Sequence, residues 1–148
     1  MTTATPAAAA PSTVIDFFTA FATDKTKEKG GVLTTIPDCG DIKFLVARAG
    51  NSAYNRILSA QFKRNRAVLE SKGEEANEKS DAILAEVYAK TILLGWEGTI
   101  MFQGKPTAYS EGAAKALLML KDFRTKVEAV ASDMNTFKAV EDEEDVKN

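Results

Sequence analysis

The chain has 148 residues, 45% of them hydrophobic and 27% charged, with a net charge of −2. That balance belongs to one globular domain with tails and excludes a wholly disordered chain. A domain of this length buries about two thirds of its unfolded surface without a metal or disulfide staple.

Histidine is absent and Cys39 is the sole cysteine, so no intramolecular disulfide can form, in keeping with a reducing cytosol. Residues 1–11, MTTATPAAAAP, are low-complexity and read as a disordered tail. They carry no basic residue and no run of Leu, Val, Ile or Phe, so they do not read as a secretory signal. No segment approaches the roughly eighteen consecutive apolar residues of a membrane span. A single domain is expected over residues 12–140, followed by an acidic tail over 141–148. The acidic run argues against electrostatic attraction to nucleic acid or an anionic membrane, and on its own it reads as a solvated end.

Ser12 or Thr13 is the expected N-cap of VIDFFTAFATDK. Val14, Phe17, Phe18 and Phe21 form a stripe along that helix, which is expected to pack on the body rather than be displayed. From Gly31 the period changes. VLTTI, a turn at Pro37-Asp38-Cys39-Gly40 and DIKFLVARA read as a β-hairpin, with Ile42, Phe44 and Val46 on the half-buried face. After Gly50 a helix is expected over 51–72, capped by Asn51 or Ser52 and ended by Gly73. A second helix begins within EEANEKSDAIL and runs to about Trp96. Ile83, Leu84, Val87, Tyr88, Thr91, Ile92 and then Leu94 give it the cleanest helical spacing in the chain. The short link predicts that the two helices are antiparallel.

TIMFQGKPTAYS reads as a second small hairpin turning at Gln103-Gly104-Lys105-Pro106. Ser110 then opens a helix, EGAAKALLMLK, and Phe123 opens a final one reaching about Val140. The fold expected is mainly α with some β (α+β). Four to five helices surround a central antiparallel pair, with one or two short hairpins.

Catalytic chemistry is hard to assemble from these residues. A nucleophile needs a base poised near neutrality, and no histidine can serve; Cys39 in a turn reads as an incidental thiol. The stretch GTIMFQGK at 98–105 resembles a phosphate loop but has five residues between its glycines. Pro106 also stands where the magnesium-binding Ser or Thr is needed. No metal-ligand spacing occurs, and Asp81, Glu86 and Glu97 do not converge on one helix face. No catalytic, cofactor-binding or metal-binding residue is expected. The basic cluster Arg48, Arg56, Lys63, Arg64 and Arg66 lies at mixed helical angles and reads as a solvated face rather than a nucleic-acid surface.

Several stretches occur in a telling order. They are Phe21-Ala22-Thr23-Asp24-Lys25, the run from Ile42 through Ala47-Arg48-Ala49-Gly50-Asn51 to Tyr54-Asn55, and Leu94-Gly95-Trp96-Glu97-Gly98. Gly104-Lys105-Pro106 through Tyr109-Ser110 follows, then Asp122-Phe123 and Ala131-Ser132-Asp133 through Phe137. Together, over about 17–137, they resemble the tail assembly chaperones of long-tailed bacteriophages. Gly95 departs from that pattern, because an ordinary helix residue usually precedes the Trp.

The resemblance implies a non-enzymatic protein that binds the tape measure protein and keeps it soluble. It also implies that the protein helps the major tail tube protein polymerise, acts in the host cytoplasm and is absent from the mature virion. A frameshifted longer form of the same chain is implied as a possible partner, and self-association is compatible. Candidate partner-binding residues are Arg48, Asn51, Tyr54 and Asn55 at the strand-to-helix junction. Trp96, Met101, Phe102 and Tyr109 are candidates around the second hairpin. Alternative readings are a structural tail completion or head–tail joining subunit and, from another class, a nucleic-acid-associated regulator.

Overall fold

The computed structural model describes residues 14–139. The expected N-cap at Ser12 or Thr13, the tail over 1–11 and the acidic tail over 141–148 lie outside them, as does the expected domain end at residue 140. The architecture is α+β: α-helices and a 3₁₀ turn pack on a three-stranded antiparallel sheet, with a separate two-stranded hairpin. None of the described helices is long and apolar enough to cross a membrane.

The first helix, α1 (Phe17–Phe21), begins later than expected. Asp16 caps it by accepting from the Phe18 amide and the Thr19 hydroxyl. Asp24 likewise caps α2 (Lys25–Gly30). Gly31 then takes φ +94°, a conformation that favours glycine, with the Leu45 side chain 2.9 Å from where a Cβ would stand.

Strands β1 (Val32–Thr34) and β2 (Phe44–Val46) pair antiparallel in the expected hairpin, with Val32 opposite Val46 and Thr34 opposite Phe44. β2 is the middle strand, and its other edge is taken by β3 (Leu93–Trp96), with Phe44 opposite Trp96. This corrects the expectation that the long helix runs to about Trp96. Leu93 and Trp96 are buried, and pairing with β2 outweighs the helical spacing of the preceding residues. Gly95, the residue at odds with the resemblance, sits in β3 opposite Leu45.

Between β2 and β3 run α3 (Ser52–Arg64), α4 (Arg66–Glu70) and α5 (Glu74–Thr91). Asn51 caps α3 as expected. The expected continuous helix over 51–72 is interrupted at Asn65, whose side-chain amide donates to the Gln61 carbonyl at 2.8 Å. Contacts of Asn51 with Thr91, Tyr54 with Tyr88 and Gln61 with Glu86 run in opposite chain directions, which makes α3 and α5 the expected antiparallel pair.

Strands β4 (Ile100–Phe102) and β5 (Lys105–Thr107) form the second hairpin. Its two-residue turn, Gln103-Gly104, has positive φ at both positions, the hand that suits the strand twist. Ser110 caps α6 (Glu111–Leu118), and α7 (Lys121–Ser132) follows, then a 3₁₀ turn (Met134–Phe137) in place of the expected helix to Val140. The core lies where α5, α6 and α7 meet the sheet. Phe44 sits at its centre, edge-on to Trp96 at 6.1 Å and tilted against Phe123 at 5.9 Å.

Candidate interaction surface

The junction residues are built into the fold. Asn51 accepts from the Tyr54 amide and donates to the carbonyls of Arg48 (2.8 Å) and Thr91 (3.2 Å), tying the end of β2 to the start of α3 and the end of α5. Arg48 donates to Glu28 at 2.8 Å, and its guanidinium lies 5.8 Å from the centre of the Phe137 ring. Tyr54 is half-buried, edge-on to Tyr88 at 5.7 Å. Asn55 is exposed, and its amide donates to the Gly50 carbonyl.

Around the second hairpin, Trp96 is buried and stands edge-on to half-buried Tyr109 at 5.1 Å. The indole N–H has no acceptor among the described residues. Phe102 is half-buried against the core, whereas Met101, one residue earlier on the strand, faces outward. The structure therefore joins Trp96 to Tyr109 and Arg48 to Asn51. It separates Met101 and Asn55 from their expected neighbours as outward-facing groups.

The largest apolar display lies elsewhere. Val14, Ile15, Phe17, Phe18 and Phe21 all face outward, from 58% exposed at Ile15 to 82% at Phe18. The expectation that this stripe packs on the body is therefore wrong. The rings of Phe17 and Phe21 stack on each other at 5.8 Å instead.

A polar base explains why the arm stands away from the body. The Asp24 amide donates to the Phe137 carbonyl at 2.9 Å, and Thr23 bridges Lys138. The Lys138 ammonium reaches the Ala20 carbonyl at 2.8 Å, and the Lys27 ammonium reaches the Lys138 carbonyl at 3.2 Å. The Thr23 hydroxyl also donates to Glu28. That hydrogen bond, with help from Arg48 and Lys25 and against the cost of burial, holds the Glu28 carboxyl below its ordinary range. Exposed apolar clusters of this kind mark interaction sites in soluble proteins. The sequence contained the stripe; the bonds that aim it come from residues more than a hundred positions away.

The carboxylates Asp81, Glu86 and Glu97 have structural partners or face solvent. Asp81 pairs with Arg124 at 2.9 Å and Glu86 with Lys115 at 3.6 Å, while Glu97 is exposed. Burial, with Asp38 nearby, pushes the Cys39 thiol above its ordinary range. Among the described residues no three acidic or cysteine side chains gather as a metal site would need. Arg56, Lys63, Arg64 and Arg66 are all exposed on α3 and α4.

The profile of a family described as YdaY prophage protein matches residues 49–148. That span contains every candidate residue named from the sequence except Arg48, and it excludes the apolar arm, β1 and β2. No curated protein and no solved structure matches the chain.

Proposed function

The chain belongs to the YdaY prophage protein family and is phage-derived; from that premise we propose that it is a non-enzymatic tail assembly chaperone. It covers an apolar helical stripe of the tape measure protein, keeps that protein soluble and lets the major tail tube protein polymerise around it. It acts in the host cytoplasm and leaves before the virion is complete.

The observation that carries this reading is the apolar arm, with Phe17, Phe18 and Phe21 facing outward on a short helix, Val14 and Ile15 facing outward just before it, and a base fixed by polar bonds. An amphipathic client helix can bury its stripe against such a surface. The energetics suit a contact that must later be released. Burying each phenylalanine contributes roughly 1.5–3 kcal/mol, against an association cost of about 4–15 kcal/mol. The arm alone therefore holds a client weakly and reversibly.

The test is co-expression with the tape measure and tail tube proteins of the same phage. The tape measure protein should become soluble and retain this chain on purification, and F17S/F18S/F21S should lose both effects while the protein stays folded. Stoichiometric presence of this chain in purified infectious particles would overturn the proposal in favour of a structural tail subunit.

A further inference from the structure

The apolar arm needs a cover that this chain does not supply to itself. Phe17, Phe18 and Phe21 on α1, with Val14 and Ile15 just before it, all face outward. Outside the described residues, the large apolar side chains of the sequence are Met1, Val140 and Val146 alone. Those are too few to bury three phenylalanines.

Area selects the size of the occupant. A phenylalanine offers about 150–250 Å², and each of the three is more than half exposed. The arm therefore presents about 500 Å², and two arms face to face bury about 1,000 Å², the lower bound of a specific but weak interface. A pair that uses the same patch on both copies closes on itself and leaves no apolar surface to recruit a third.

Charge selects the direction. Asp16, the sole charged residue over 14–21, stands exposed at the N-terminal end of α1. At the other end the Lys138 ammonium donates to the Ala20 carbonyl at 2.8 Å, and a lysine has two further N–H donors to offer. A five-residue helix spans only about 7.5 Å. A two-fold axis across it therefore sets Asp16 of each copy beside Lys138 of the other, whereas a parallel pairing sets like charges together.

We infer that the arm pairs antiparallel with the arm of a second copy of this chain, forming a weak two-fold dimer. Phe17, Phe18 and Phe21 fill the contact, and Asp16 and Lys138 pair across both of its ends. The dimer goes beyond the client reading and does not depend on it; a client that takes the same arm displaces the second copy.

The test is sedimentation equilibrium of the full chain between about 10 μM and about 1 mM, the range in which a contact of this area associates. The chain should pass from monomer to dimer and no further. F17S/F18S/F21S should stay monomeric throughout while its circular dichroism shows the fold retained. K138E should weaken the dimer about tenfold at about 0.05 M salt and less at about 0.5 M, where exposed charges are screened. K138A, which loses the same bond to Ala20 without adding a negative charge, should weaken it less. A monomer at every concentration, a dimer that survives F17S/F18S/F21S, or equal weakening by K138E and K138A would overturn the inference. None of these touches the client reading, which falls instead if the tape measure protein stays insoluble on co-expression, and that failure leaves the dimer standing.

Discussion

Replacing Arg124 with methionine tests how the C-terminal half is held. Arg124 is 7% exposed, and its guanidinium donates to the Leu118 carbonyl, the last residue of α6, and to Asp81 on α5, both at 2.9 Å. Methionine keeps most of the aliphatic bulk and removes both bonds. The Leu118 carbonyl is one of the orphan acceptors at a helix end, and leaving it buried and unmet costs about 1–3 kcal/mol. The Asp81 side chain is 41% exposed, so once released it regains water, and the ion pair itself contributes at most about 1 kcal/mol. R124M should therefore destabilise by about 2 kcal/mol, with the carbonyl as the larger part, and D81N should cost about half of that or less. Urea unfolding reads the difference. At a slope of about 2 kcal/mol/M, R124M shifts the midpoint by about 1 M. A D81N midpoint shift as large as that of R124M, or a neutral R124M, would refute the assignment of the cost to the helix-end carbonyl.

Acid sensitivity should pass through Glu28. Its folded pKa lies below the ordinary 4.5, so its contribution is complete above that value and is lost as pH falls through the lower folded value. E28Q should therefore lower stability at neutral pH and flatten the loss on acidification below about pH 4.5, read as urea midpoints across a pH series. L118A removes a fully buried side chain and should cost about 3 kcal/mol. F18S, by contrast, should stay within about 0.5 kcal/mol in the same urea unfolding measurement, because Phe18 is exposed. G31A places a Cβ 2.9 Å from Leu45 Cγ at a left-handed φ and should cost about 2 kcal/mol or more. G104A, with a left-handed φ but open space around it, should cost about 1 kcal/mol.

Much of this architecture was legible from local chemistry. Asn51 and Ser110 cap the helices expected of them, Gly73 separates α4 from α5, and Gln103-Gly104 turns the second hairpin. Each of those signals is complete within a few residues. Two features were not legible, for one shared reason. β3 carries a helical spacing inherited from α5 and becomes a strand only because Phe44 and Leu45 lie beside it. The arm carries the stripe of a packing helix and is turned outward by its bonds to Phe137 and Lys138. In both cases a distant partner decides the outcome, and no window on the sequence contains that partner. The candidate residues at the junction and second hairpin were readable as aromatic and amide types in promising places. How deeply each is engaged by the fold depends on packing.

The middle position of β2 also has a kinetic consequence. One of its partners, β1, is close in the chain and can pair as soon as the intervening loop closes, whereas β3 lies roughly fifty residues further on, beyond α3, α4 and α5. Phe44 and Val46 therefore have only half of their sheet until the helical pair has formed and carried β3 back to them. Closure of the β2–β3 seam is expected to be the late event in folding. Substitutions in β3 should then accelerate unfolding more than they slow folding, while substitutions on the facing sides of α3 and α5 should slow folding itself.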